Sequence, residues 1–356
     1  ELMTKVDCHI GIIGAFEDGT NAACWQSVKS LEATPEGLNY LSEWNELCSG
    51  ISETEYKSKL ARYDDAKAEW DMEYEKTASR YKGYAYDEVV QVMGEFKREF
   101  PYGKWSPRRP GGMFEQKIMR VAPYRIAGVI FYQGESDCDT HADDYYAVFM
   151  SLISEWRKVF DNPKLPFIYC QLHMWIDRDR RFIGLEDYKW PRVRQAQYLA
   201  YKSTKETYMA ILSDCGEFEN PNPVNKYIPG SRLGYLALKN VYGYKEIAAI
   251  APFLIDLRST NGGVEMSFAG DFEMLMIKGY GDTGFEICGR DGHFYSCEAA
   301  VDFDGKTVSC SSPYVQEPQT VRYAYFSYGN ATLCSDTGLA VLPFTRNVIK
   351  GLNDLY

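Results

Sequence analysis

The sequence lacks the usual spacings for metal and redox chemistry. No two of its ten cysteines stand three residues apart, which excludes a C-x-x-C redox motif and a zinc ribbon. HExxH is absent, and so is G-x-S-x-G, the usual elbow of an exposed serine nucleophile. No apolar run approaches the roughly 20 residues of a membrane-spanning helix. No long basic stripe interrupts the chain, and 50 Asp and Glu against 39 Lys and Arg leave a net charge of −11. That balance excludes a general nucleic-acid binder and gives no reason to expect a membrane partner. Internal repeats and low-complexity tracts are missing too. Two phosphate-loop lookalikes fail on context. Gly14–Asn21 has P-loop glycine spacing but Thr20 in place of the lysine and two carboxylates inside the loop. Gly279–Gly284 matches G-x-G-x-x-G but runs into strand-like Phe285–Cys288, not a helix. Both read as turns.

What remains is an ordinary globular composition, 45% hydrophobic and 25% charged, over 356 residues. That length predicts two domains, or one large core with a substantial addition. The 28 tyrosines suit sugar stacking, although filling cores is their commoner use. Cys170, Cys215 and Cys288 end apolar stretches and read as small buried hydrophobes, so reduced thiols and a cytoplasmic setting are expected from cysteine usage. The sequon Asn330-Ala331-Thr332 matters only in a secreted protein. The chain opens on Glu1, so targeting is unreadable, and further sequence upstream is expected.

Four segments repeat one plan, an apolar run followed by a polar or glycine cluster. They are Ile10–Gly14, Gly128–Tyr132, Pro166–Cys170 and Tyr208–Ser213. Helical stretches at Tyr145–Phe160 and Trp190–Lys202 separate the later ones. Such alternation predicts a parallel sheet covered by helices, with ligands held at the carboxyl ends of the strands. An insertion at about 50–105 carries Ser52 and Glu55 as a capping box, and Asp87 is placed to cap a second helix. It reads as a helical hairpin packed on the core, or more sharply as a lid. Beyond residue 247 the texture changes to short strand candidates, Val264–Phe268, Phe272–Ile277, Phe285–Cys288, Val308–Cys310 and Thr320–Phe326. The expected division is therefore 1–247 as an α/β core and 248–356 as an all-β module.

Gly128–Asp137 is the informative cluster. A buried strand delivers Gln133, Gly134 and Glu135 to the sheet edge. There an amide can donate to a developing oxyanion and a glycine lets the backbone approach a ligand. Glu135 can orient a base or anchor the loop. Of the four histidines, His173 follows the third apolar run and is a candidate relocated base, with a structural or sugar-contacting role as the blander reading. His141 is a weaker candidate, and His9 and His293 read as incidental.

Tyr132–Asp137 resembles the "WYQGESN" block of the sialate O-acetylesterase group of SGNH hydrolases. Ile10–Ile13 through Asp18-Gly19-Thr20 and Trp25 is similar to its "GIINSSWGGT…W", and Trp190 with Arg194–Gln197 to its "W..lReaQ". Lys226, Gly230, Arg232, Leu233 and Val241–Gly243 match the stretch after the family histidine. Pro318–Ala324, Gly338–Ala340 and Pro343-Phe344 resemble "P..VRYAW…GLPA.PF". The resemblance implies a flavodoxin-like three-layer core that hydrolyses acetyl esters on sugars (sialate, xylan or another glycan). It implies a Ser–His–acid mechanism with no metal or organic cofactor, and a secreted or lysosomal setting becomes compatible. The implied oxyanion donors are Gly19, through its backbone, and Gln133, with Thr20, Gly134 and Glu135 beside them.

Two departures stand out. The family's "GQSNM" serine motif does not occur, so the first core strand and its nucleophile are expected upstream or on a separate N-terminal segment. The family's "D..HP" reads Glu219–Pro223 here, with Glu219 matching the acid and Asn222 at the histidine position, where an amide cannot serve as a general base. A catalytically inactive pseudoesterase that binds acetylated glycan or a partner is therefore the alternative. A third reading pairs Glu135 with Glu219 for glycoside hydrolysis.

Overall fold

A computed structural model describes residues 1–84, 86–176, 186–217, 220–223, 225–260, 262–279 and 281–348. Three parallel strands form the centre of the first part, in the order β1 (Val129–Phe131), β2 (Phe167–Cys170), β3 (Thr207–Ala210). Their register aligns Ile130 with Ile168 and Ile168 with Tyr208. All four residues of β2 are buried, as expected of a central parallel strand with helices on both faces. On one side the helices Tyr145–Val159 and Lys189–Ser203 supply Phe149, Leu152, Trp156 and Val193 to the core. The Phe149 ring meets Phe131 at 5.5 Å and Tyr169 edge-on at 5.0 Å. On the other side Leu233, Leu236 and Ala237 of the helix Tyr227–Asn240 cover Ile168, Cys170 and Ala210.

That second cover stops short of β1. Ile130 is 58% exposed, and among the described residues β1 pairs with β2 alone. Ile10–Gly14, read from sequence as a buried strand, is not one. The segment makes no ladder pairing among the described residues, and Ile12 is 89% exposed. An apolar run becomes a strand only when a neighbour takes its backbone groups, and this one has no such neighbour.

The insertion forms a 28-residue helix, Glu53–Arg80, followed by Tyr86–Met93. Ser52 caps the first, accepting from the Glu55 N–H at 3.2 Å, but the Glu55 carboxylate pairs with Lys59 at 2.8 Å instead of closing the box. Asp87 falls inside the second helix, not before it. Phe96 and Phe100 lie beyond that helix, yet pack edge-on against Tyr63 at 5.4 and 5.1 Å.

After residue 252 every strand pair is antiparallel. One sheet runs β4 (Phe253–Thr260), β5 (Gly263–Ala269), β10 (Thr307–Ser311), β9 (Glu298–Val301). A second runs β13 (Phe344–Asn347), β11 (Thr320–Tyr323), β7 (Phe285–Cys288), β8 (Phe294–Ser296). A small pair joins β12 (Leu333–Ser335) to β6 (Leu275–Ile277). Val264, Met266, Val308, Phe285, Val321 and Phe344 from both four-stranded sheets share one core. Gly279, Gly281 and Gly284 adopt positive φ in the turn before β7, a conformation glycine takes without steric cost.

Candidate active-site crevice

The residues after β1 are held from several directions. Gly134 takes φ +142, and a β-carbon there would meet Gln197 Nε2 at 3.1 Å and Val193 Cγ1 at 3.2 Å, so the turn requires glycine. The carbonyl of Gln133 accepts from Gln197 Nε2 at 3.1 Å and from the Tyr145 hydroxyl at 3.3 Å. Its side-chain amide donates to the Thr20 carbonyl at 3.3 Å and to the carboxylate of Asp137. The Gly19-Thr20 turn and the Gln133 loop, 113 residues apart, thus meet directly.

Asp137 organises this junction. Fully buried, it accepts from the Ala22 N–H at 3.2 Å, the Tyr40 hydroxyl at 2.5 Å and Gln133. Burial outweighs these donors and raises its pKa from 3.8 to about 6. Thr20 is fixed by a 2.8 Å bond from its hydroxyl to the Glu17 carbonyl and a 2.9 Å bond accepted from Trp25 Nε1. Gly19 itself is exposed at φ +65, and its N–H has no partner among the described residues. Arg108 stands beside it and pairs with Glu17 at 3.2 Å.

Glu135 is half-buried and accepts no hydrogen bond from another residue's side chain among those described. Burial raises its pKa to about 7, against the pull of Lys226, with Asp137 and Asp18 adding to the rise. Lys226 also lies 5.1 Å over the Tyr132 ring and donates to the Pro223 carbonyl. This places the loop bearing Asn222 against the loop that follows β1. Asn222 is exposed, its N–H bonded to Asn220 Oδ1 at 2.9 Å. Glu219 lies outside the described residues.

His173, after β2, completes the cluster from beneath. Tyr132 and His173 share a 2.8 Å hydrogen bond at Nδ1, and the ring is fully enclosed. Burial, with the Lys226 and Arg194 charges, lowers its pKa to about 3, so the imidazole is neutral throughout the ordinary working range. An enclosed neutral ring favours a packing part over proton transfer. His141 is sandwiched between Glu43 at 2.6 Å and Asp144 at 3.0 Å and stacked on Tyr40. It touches the crevice only through Tyr40 and Asp137. His9 and His293 are exposed. Asp137, Lys226 and Tyr132 acquire their parts from partners far away in sequence, which no local pattern announces. Among the described residues, no group of three or more His, Cys, Asp or Glu is placed to hold a metal ion.

Residues 102–213 match the family of carbohydrate esterases, sialic acid-specific acetylesterase. Over this segment the chain is similar to the sialic acid-specific acetylesterases. Sialate O-acetylesterase of Mus musculus is 25% identical over 202 residues, 53% of this chain and 37% of that protein. The Homo sapiens protein is 23% identical over 195 residues, 51% of this chain and 37% of its own length. The chain therefore spans little more than a third of these curated relatives. A carbohydrate acetylesterase from Xanthomonas citri has a similar structure, with TM-score 0.59 and 29% identity over 66% of this chain and 53% of that one. The parallel sheet with helices on both faces is thus an SGNH-like core, with antiparallel sheets after it.

Proposed function

We propose that the crevice removes acetyl esters from a carbohydrate, and that this stretch of chain supplies its oxyanion and sugar-binding side. The observation that carries the reading is the Gln133–Thr20 bond, which joins two esterase-like blocks at the carboxyl end of the sheet. The Gly19 N–H is uncommitted, and the 3.3 Å bond from Gln133 is the weaker of that amide's two attachments. A developing acetyl oxyanion would take the first donor and compete for the second. Attack comes from a serine on a separate segment, which adds along the free edge of β1. The exposure of Ile130 and the unpaired backbone of that strand support such an addition. The same segment must also bring the base that takes the serine proton and passes it to the departing sugar oxygen, because Asn222 cannot and His173 is enclosed. Residues 1–247 are the hydrolase core in this reading, and 248–356 the β-rich module.

Acetate release from O-acetylated sialate and acetylated xylo-oligosaccharide tests the proposal. Release should fall roughly 10²–10³-fold in Gln133→Ala, the usual loss of an oxyanion donor. A pseudoesterase is the second reading, favoured by Asn222 and the enclosure of His173, which leave the crevice without an accessible histidine. No release, with saturable binding of the same sugars that Gln133→Ala abolishes, would replace the first reading by the second. Release that appears only in Asn222→His would locate the missing base.

A further inference from the structure

Cys297 stands where one strand changes sheets. It is the single residue between β8 (Phe294–Ser296) and β9 (Glu298–Val301). Its N–H still donates at 3.0 Å to the carbonyl of Phe285 on β7, in the second sheet. Two residues later, Ala299 already pairs with Cys310 of β10, in the first. Side chains two apart on a strand share a face, so Cys297 is the diagonal neighbour of Cys310 on the side that carries Val301 and Val308. Both cysteines are buried, at 7% and 3% exposure, in the core shared by the two four-stranded sheets. Both are free thiols in this structure. The Cys297 thiol lies 3.9 Å from the Tyr295 carbonyl and hydrogen-bonds the Cys310 thiol. That bond and burial push the Cys297 thiol well up, which keeps it protonated and slow to exchange once the module has folded. The buried thiols of Cys24 and Cys138, by contrast, donate to the Arg108 and Gly134 carbonyls.

We propose that Cys297 and Cys310 are a cross-linking pair, closing to a disulfide when the chain folds in the presence of a small-molecule disulfide oxidant such as glutathione disulfide. One protein thiolate attacks a sulfur of the oxidant and expels a glutathione thiolate. The second then attacks the mixed disulfide at the protein sulfur and expels the other glutathione. Two protein thiols are oxidised, one glutathione disulfide is reduced to two glutathiones, and the two protons pass to the leaving thiolates. The bond ties the strand leaving the second sheet to β10, which lies between β5 and β9 in the first. Closing a loop of roughly 15 residues is worth about 100-fold in the folding equilibrium. The whole protein, refolded from urea and dithiothreitol into glutathione disulfide, is alkylated without reduction and digested with trypsin. Cleavage after Arg290, Lys306 and Arg322 places Cys297 in peptide 291–306 and Cys310 in peptide 307–322, each as its sole cysteine. The two peptides should appear joined, at their summed mass less two hydrogens, and separate on reduction. The oxidised protein should keep the native circular dichroism spectrum, and its unfolding constant in urea should lie about 100-fold below that of the reduced protein. Cys310→Ala should lose that difference between redox states. The peptide map is read on the native sequence, so it decides even where the variant fails to fold. Recovery of the two peptides as separate alkylated or glutathionylated species, either cysteine joined to a third, or an oxidised protein no more stable than the reduced one would overturn the proposal.

Discussion

Glu135 is a carboxyl group that the fold keeps partly out of water without giving it a side-chain donor. Its pKa rises from 4.5 unfolded to about 7 folded. Between those values the native state holds the proton more tightly than the unfolded chain, so stability falls as pH rises from 4.5 to 7 and is level outside that window. At about 1.4 kcal/mol per pH unit the whole effect is roughly 3 kcal/mol, an upper figure because Asp137 titrates nearby and shares it. Glu135→Gln keeps the shape and removes the titration. Urea unfolding at pH 4.5 and pH 8, with the slope held common, should show the variant gaining on the native protein by about 2–3 kcal/mol at the higher pH. Comparing two proteins at each pH removes the opposing contribution of His173, which both retain. If the difference between native and variant is the same at both pH values, the Glu135 carboxyl is not desolvated as described and the reasoning fails.

Gly134→Ala should lower stability by about 1–3 kcal/mol in thermal melts, because φ +142 and a 3.1 Å contact with Gln197 both oppose a β-carbon. His173→Phe should cost about 1 kcal/mol at pH 7 for the Tyr132 bond. Native His173 titrates near 3 folded and 6.5 unfolded, so its stability contribution is lost as pH falls below 6.5. By pH 4 that loss is about 3 kcal/mol, at about 1.4 kcal/mol per pH unit, so in urea unfolding the gap should close and then reverse in favour of the variant. Arg232→Met should cost about 1–3 kcal/mol, for the charge-assisted bonds lost to the Asp214 carboxylate at 2.6 and 2.7 Å and to the Ile211 and Gly338 carbonyls. Asp214→Asn in the same chain should recover part of that loss in a double-mutant cycle.

Much of the core was legible because β1, β2 and β3 are continuous apolar runs bounded by polar clusters, the text of strands buried on both faces. Ile10–Gly14 carries the same text without the neighbour that would make it a strand, and composition alone does not distinguish the two. β4 escaped notice although it is eight residues long, because a bulge between Leu254 and Asp256 breaks its alternation. At the site, the motif blocks named Gln133 and Thr20, and the fold brings both to one bond. The carboxylate that fixes them, Asp137, closes the Tyr132–Asp137 block, but no feature of the sequence assigns it a part of its own. Its donors Tyr40 and Ala22 stand 97 and 115 residues away, a separation that only the folded chain reveals.

The long-range ties between the parallel sheet and the later strands impose an order of assembly. The buried guanidinium of Arg194 finds its oxygen acceptor at the Phe326 carbonyl, 132 residues later. The Trp175 N–H bonds the Ser327 carbonyl at 2.9 Å, and Arg232 reaches the Gly338 carbonyl at 3.1 Å. During synthesis the helices carrying Arg194 and Arg232 leave the ribosome well before these carbonyls exist. Closing such long loops is slow, and until it happens the Arg194 guanidinium lacks its oxygen acceptor and stays hydrated, whereas Arg232 already has Asp214 and the Ile211 carbonyl upstream. A nascent chain that has reached only residue 300 should therefore remain open around Trp190 and accessible to proteases. Docking of the turn at Phe326-Ser327 should be the late event that shuts the core.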